Sequence, residues 1–115
     1  MAELDGLWTI QFEVAGEWRS GGVVIFEAGR VAGGDSHYYY YGHCAERNGT
    51  LAGEARIINH SGPLSTGFGD SPDFTVVLEA HRKGDVVNGH IFKPGNEQAK
   101  LKLRCVRRVA AGELA

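Results

Sequence analysis

Residues 21–42 constrain the fold of this chain more than any other stretch. They read as three short strands in succession. Residues 23–27 are rich in β-branched and aromatic side chains, and Ala28-Gly29 supplies a turn in which glycine takes the positive φ of a tight hairpin. The return strand starts at Arg30 and is interrupted by Gly33-Gly34-Asp35, a pattern that predicts a bulge, a corner or a close approach of backbones. Tyr38, Tyr39, Tyr40 and Tyr41 then resume the sheet. Strand, tight turn, strand, kink and strand describe a small antiparallel barrel bending closed.

The same period of two runs through the rest of the chain. Trp8, Ile10, Phe12 and Val14 alternate with Thr9, Gln11 and Glu13, so a first strand buries one face. Turn signals at 15–17, 48–49, 83–85 and 94–96 separate further strands over 18–27, 30–35, 38–47, 50–60, 74–82, 86–92 and 98–109. In the last of these, Ala99, Leu101, Leu103 and Cys105 face inward, and Lys100, Lys102 and Arg104 face outward. The prediction is an all-β, eight-stranded antiparallel up-and-down barrel of the lipocalin or calycin type, closed because closure removes exposed sheet edges. No helix is expected. Residues 110–115 are expected to fray, and the one long connection, 61–73, is a candidate flap over a barrel mouth.

At 115 residues the chain is a single domain. Its 17 glycines are about twice the usual share of ~7% and follow no repeat, so they act as punctuation. A net charge of −2 argues against a general affinity for nucleic acid or anionic lipid. No apolar run approaches the ~20 residues of a membrane span, and the first residues lack a signal segment. A cytoplasmic protein is therefore expected, with Cys44 and Cys105 as free thiols.

Few residues point to chemistry. His37, His43, His60, His81 and His90 lack metal-ligand spacing, and no nucleophile elbow, phosphate loop or dinucleotide fingerprint is present. The reading is a non-enzyme with no metal and no cofactor. Asp35 is a candidate ligand or interface carboxylate, although an aspartate at a kink more often accepts backbone hydrogen bonds. Strand alternation divides Tyr38–Tyr41 into two inward and two outward rings. The inward pair lines either a ligand pocket or a packed wall, and the outward pair suits an interface. Lys100, Lys102 and Arg104 form either a solvated face or a docking stripe for an acidic protein. Inward Gly53, Ala55, Ala80, Gly89 and Ala99 favour space for a small apolar ligand, whereas Trp8, Phe12, Phe74 and Leu103 favour a filled interior.

The chain resembles the GrlR-like family, named for a negative regulator of type III secretion. The resemblance rests on Asp5-Gly6-Leu7-Trp8 with Ile10 and Phe12, Gly22-Val23-Val24-Ile25, Gly29 and Val31, Gly33-Gly34-Asp35, and Tyr41-Gly42; beyond Gly49 it rests on strand pattern and length. It implies a lipocalin-like barrel, often a homodimer, that regulates through protein contact without catalysis. The family's founding member docks its activator through an acidic run after the fourth strand. Here the corresponding residues are Ala45-Glu46-Arg47-Asn48-Gly49, with one acid and an entering arginine. Glu46 and Arg47 mark that ancestral position, and contact with any regulatory partner is expected instead at the 61–73 loop or at Lys100, Lys102 and Arg104. The alternative reading is a small-molecule carrier or sensor that uses the barrel interior.

Overall fold

The computed structural model describes residues 4–62 and 71–114. It is a closed barrel of eight antiparallel strands in sequence order: β1 (Gly6–Val14), β2 (Glu17–Glu27), β3 (Arg30–Gly34), β4 (Tyr38–Arg47), β5 (Thr50–Asn59), β6 (Asp73–Lys83), β7 (Val86–Phe92) and β8 (Leu101–Ala110). β8 returns to pair with β1, from Gly6 opposite Ala110 to Phe12 opposite Leu103. No strand is left as an edge, which is the arrangement that keeps a meander from templating its own aggregation. Among the described residues, no helix is long and apolar enough to cross a membrane.

Three hairpins turn in the same way. Ala15-Gly16, Ala28-Gly29 and Asn48-Gly49 each place two successive residues at positive φ, at 52° and 83°, 50° and 82°, and 54° and 82°. That pair of angles is the type I′ turn, whose twist matches the strands on either side. Asn48 suits its position, whereas Ala15 and Ala28 adopt the left-handed region against their preference.

The bulge is not at Gly33-Gly34. Those residues pair without a break to both neighbours, and a Cβ on Gly33 would lie 2.0 Å from the Val23 carbonyl oxygen, so their role is close backbone approach. One bulge lies in β2, where the register jumps from Val23 opposite Thr9 to Ser20 opposite Gln11, and a second lies at the β1–β8 seam, where Leu7 faces Val109 but Trp8 faces Arg107. Gly21 and Gly22 together oppose Ile10. Gly22 sits at φ 86°, and a Cβ there would come within 2.0 Å of the Gly34 carbonyl oxygen.

Three further expectations are corrected. The last strand starts at Leu101, not at 98, because two successive turns take up the preceding residues: Asn96 N–H donates to Lys93 O (2.9 Å) and Ala99 N–H to Asn96 O (3.2 Å). Ala99 is consequently exposed and not inward, and Lys100 precedes the strand. The chain end does not fray from residue 110. Ala110 closes β8, and α1 (Ala111–Leu114) follows as one helical turn. The Glu113 carboxylate reaches back to accept from Ala110 N–H at 3.2 Å, which is half of a capping box. Of the 61–73 connection, residues 63–70 lie outside the described residues.

The interior is one apolar cluster in which Trp8 is wholly buried. Its ring meets Phe26 edge-on at 5.9 Å, and its indole N–H donates to Leu4 O at 2.9 Å. The Arg107 guanidinium covers the ring at 5.1 Å. The same guanidinium donates to Asp5 O (3.2 Å) and to the Asp85 carboxylate (2.8 Å). β1, β8 and the β6–β7 turn are thus fastened together at one end of the barrel.

Denaturant titrations check the turn and bulge assignments. Gly22→Ala should cost about 2 kcal/mol or more, since both its φ and the Gly34 backbone resist a Cβ. Ala28→Asn should instead stabilise by about 0.5 kcal/mol, because its side chain is exposed and asparagine accepts the left-handed turn position.

Candidate functional site

The four tyrosines alternate as expected. Tyr38 and Tyr40 are buried; Tyr39 and Tyr41 are exposed at 43% and 44%. Asp35 organises the corner that sets this phase. Its Oδ1 accepts from His37 N–H (2.9 Å) and Tyr38 N–H (2.8 Å), and its Oδ2 lies 3.1 Å from the Tyr40 hydroxyl. That hydroxyl also lies 2.9 Å from Gly21 O. Burial, and then the Asp35 charge, push the Tyr40 pKa far above its ordinary value, so the phenol stays protonated. Asp35 is therefore spent on internal hydrogen bonds that tie β4 to the bulge in β2.

The outward tyrosines belong to a wider surface. Strand register places Val23, Gly34, Tyr39 and Ile58 in one outward row across β2–β5, and Ile25, Ala32, Tyr41 and Arg56 in the next. Val23 and Ile25 are exposed at 44% and 42%. The Tyr39 and Tyr41 rings stack at 6.4 Å, and the His60 ring continues the stack on Tyr39 at 6.2 Å. Arg56 bounds the patch, donating to the Tyr41 hydroxyl at 3.3 Å and pairing with Asp73. The opposite exterior is polar. There Lys102 and Arg104 face outward from β8, across from His90 and Asn88 of β7. Lys100, just before β8, lies beside them on the same exterior: its ammonium sits over the Phe92 ring at 5.3 Å and 3.9 Å from Glu79, which shares an outward row with His90 and Lys102.

Glu46 points inward. It belongs to the inward phase of β4 with Tyr38, Tyr40 and Cys44, and its carboxylate accepts from Arg82 Nε at 2.5 Å inside the barrel end. Both side chains are nearly covered, at 11% and 12% exposure. Arg47, one residue on, is exposed. Alternation explains the difference, since neighbouring strand residues point to opposite faces.

The barrel interior holds a cavity of about 70 Å³, bounded by apolar side chains that include Ile10, Phe12, Val24, Ile57, Leu78 and Leu103. Cavities that take a drug-sized ligand run to about 300–1,000 Å³. Bulky inward residues fill most of the space that Gly53, Ala55 and Gly89 leave. Among the described residues, no group of three or more His, Cys, Asp or Glu side chains is placed to hold a metal ion.

One further recess lies at the barrel end fastened by Trp8 and Arg107. It measures about 320 Å³ and is lined by Leu4, Asp5, Phe26, Cys44, Glu46 and Asn48, among others. The sequence offers one hint of it. β3 is short while the β4–β5 hairpin runs on to Asn48-Gly49, so the wall is notched beside Gly29. Asp5, the one buried charged residue among those described, opens the Asp5-Gly6-Leu7-Trp8 motif, which gave no sign that its carboxylate is buried.

The chain matches no model of a known protein family and no curated protein.

Both thiols are buried and free. Burial first, then the Glu46 charge, push Cys44 from 9.0 up to about 11. Burial first, then Cys44, push Cys105 from 9.0 up to about 12. A raised pKa means that the unfolded chain loses these protons before the folded one does. Stability from this source is thus complete below pH 9.0 and falls as pH rises through about 11. The urea midpoint of the wild type should drop over that window more steeply than that of Cys44→Ala/Cys105→Ala, with each thiol adding up to about 1.4 kcal/mol per pH unit.

Proposed function

We propose that this chain is a non-enzymatic regulatory barrel that acts through protein–protein contacts, in the manner of the GrlR-like family. The observation that carries this reading is the apolar outer face of β2–β5. Val23 and Ile25 of β2 and Tyr39 and Tyr41 of β4 stand in register on either side of Gly34 and Ala32 of β3, each more than two-fifths exposed. Aromatic residues of this kind are enriched where proteins meet, and clustered apolar exposure marks an interaction surface.

A second copy of the chain is the proposed occupant of this face. Two copies that meet across a two-fold axis lay the same rows against each other, a contact that closes on itself and covers those apolar side chains. The Arg56–Asp73 pair lies at the edge of the patch and supplies both signs of charge to a polar rim. Partner recognition then falls to the polar side of the barrel. Lys102 and Arg104 are the docking residues for an acidic protein, in a cytoplasmic setting. Glu46 takes no part, because Arg82 already holds its carboxylate. The small interior cavity weighs against a carrier that uses the barrel centre.

Sedimentation tests this directly. The 12.4 kDa chain should sediment as a dimer at concentrations above a micromolar dissociation constant, about −8 kcal/mol of association. Ile25→Lys and Tyr41→Lys replace exposed side chains, so they should yield folded monomers whose unfolding midpoints match that of the wild type diluted below its dissociation constant. A wild type that stays monomeric, or lysine variants that still dimerise, would overturn the assignment of this face.

A further inference from the structure

Closure leaves no strand as an edge along its whole length, but β2 outruns one of its neighbours. It pairs with β1 from Glu17 onward, whereas β3 covers only residues 23–27. Among the described residues, no strand lies against the other side of residues 17–20, and all four are exposed. The hairpin fixes which backbone groups face that side. Val14 and Glu17 flank the two-residue Ala15-Gly16 turn, so they exchange backbone hydrogen bonds, and Arg19 does the same with Phe12. Trp18 and Ser20 therefore turn their N–H and C=O groups away from β1, towards the open side. The free edge stops at the bulge. There Gly21 O accepts from the Tyr40 hydroxyl at 2.9 Å, and Gly22 lies against the Gly34 backbone.

The side chains set what can pair there. Trp18, 44% exposed, stands on the outward face beside Glu13 of β1. Arg19 and Glu17 take the other face, 3.7 Å apart and both well exposed. An open strand edge is a template for another strand, and proteins guard such edges with charge or by keeping them short. This edge is short, and the charges of Arg19 and Glu17 turn away a purely apolar strand. They match a strand that sets an acid opposite Arg19 and a base opposite Glu17, because opposed charges of opposite sign stabilise a cross-strand pair. A second copy of this chain fits poorly. Two antiparallel β2 edges that set Trp18 against Ser20 bring two Arg19 side chains together. Setting Trp18 against Trp18 leaves Ser20 facing Gly16 in the turn, at φ 83°, so only one residue pair is bonded. Setting Ser20 against Ser20 calls on Gly22, which already packs on Gly34.

We propose that residues 17–20 of β2 are a docking edge for an extended segment of a partner protein. The segment adds an antiparallel strand beside β2, exchanges backbone hydrogen bonds with Trp18 and Ser20, and rests an apolar side chain on the Trp18 ring. In its own N-to-C direction it reads acid, apolar, base, opposite Arg19, Trp18 and Glu17. In such strand addition the main-chain bonds give affinity and the alternate side chains give specificity. The edge lies beyond the bulge from Val23 and Ile25, so it stands or falls independently of the dimer.

The test titrates the full chain with tetrapeptides at millimolar concentration and follows amide shifts in ¹H–¹⁵N spectra. N-acetyl-Thr-Glu-Ile-Lys-amide should give saturable shifts centred on the backbone amides of Trp18 and Ser20 and on the Trp18 indole. The same peptide N-methylated at its Ile cannot donate to Trp18 O and should give none. Arg19→Glu changes an exposed side chain, so the variant should fold as the wild type does. It should weaken binding about threefold and shift the preference to the peptide that carries Lys in place of Glu. No saturable shift from the first peptide, shifts centred elsewhere, equal binding of the N-methylated peptide, or an unchanged preference in Arg19→Glu would overturn the proposal. So would shifts at Trp18 and Ser20 that follow protein concentration alone, since they would give the edge to a second copy.

Discussion

The barrel depends on the burial of Trp8 beneath Arg107. A meander of eight strands is a flat ribbon until its first and last strands meet, and that meeting is the contact of longest sequence separation in the fold. Trp8 supplies the apolar area that makes it favourable. An indole of this size buries about 150–250 Å², worth about 4–6 kcal/mol at 25 cal/mol per Å². That is a large part of the about 5–15 kcal/mol by which a domain is stable. Arg107, from β8, covers the ring of a β1 residue and also bonds the Asp5 backbone and the Asp85 carboxylate. The Asp85 carboxylate is mostly exposed, so the ion pair itself adds little. The value of Arg107 lies in the stacking and in a nearly buried guanidinium that reaches three parts of the chain.

Once the ends are joined, inside and outside are assigned along every strand, and the two exteriors follow. The bulge at Gly21-Gly22 changes the phase of β2, so that Val24 and Phe26 point inward while Val23 and Ile25 point out. Asp35 does the same for β4 by fixing the corner from which Tyr38 starts. Two local devices, both built on residues 20–38, therefore create the apolar face on which the proposed contact rests. The small interior cavity leaves the barrel with surfaces to offer at its side and along the free edge of β2.

Alternation made most of this legible in the sequence. Trp8, Ile10 and Phe12, or Phe74, Val76 and Leu78, declare their inward face without help from any distant residue. What alternation cannot register is a local change of phase. A glycine pair that bulges and a glycine pair that lets backbones approach read alike, which is why the alternatives at Gly33-Gly34 stayed open until the structure showed close approach there and the bulge at Gly21-Gly22. The strand pattern also ran backwards too far from Leu101, because Ala99 continues the period although the turns at Asn96 and Ala99 already hold its backbone. Glu46 was legible in phase: it shares the parity of Tyr38 and Cys44. An acidic residue beside a turn reads as surface, however, until its partner is known, and Arg82 stands far off in sequence. The burial of Asp5 was illegible for the same reason, since its carboxylate lies against the β2–β3 turn, bonded to Ala28 N–H.

Burial of Trp8 across the β1–β8 seam makes that seam part of one cooperative core and not a late, loose closure. Native-state hydrogen exchange measures this at the amides along the seam, including Ile10, Phe12, Leu103 and Cys105. They should exchange only through global unfolding, with the same free energy as the amides between β4 and β5. Seam amides that exchange through a separate opening, several kcal/mol below the β4–β5 pair, would show instead that the barrel stands without its Trp8 closure.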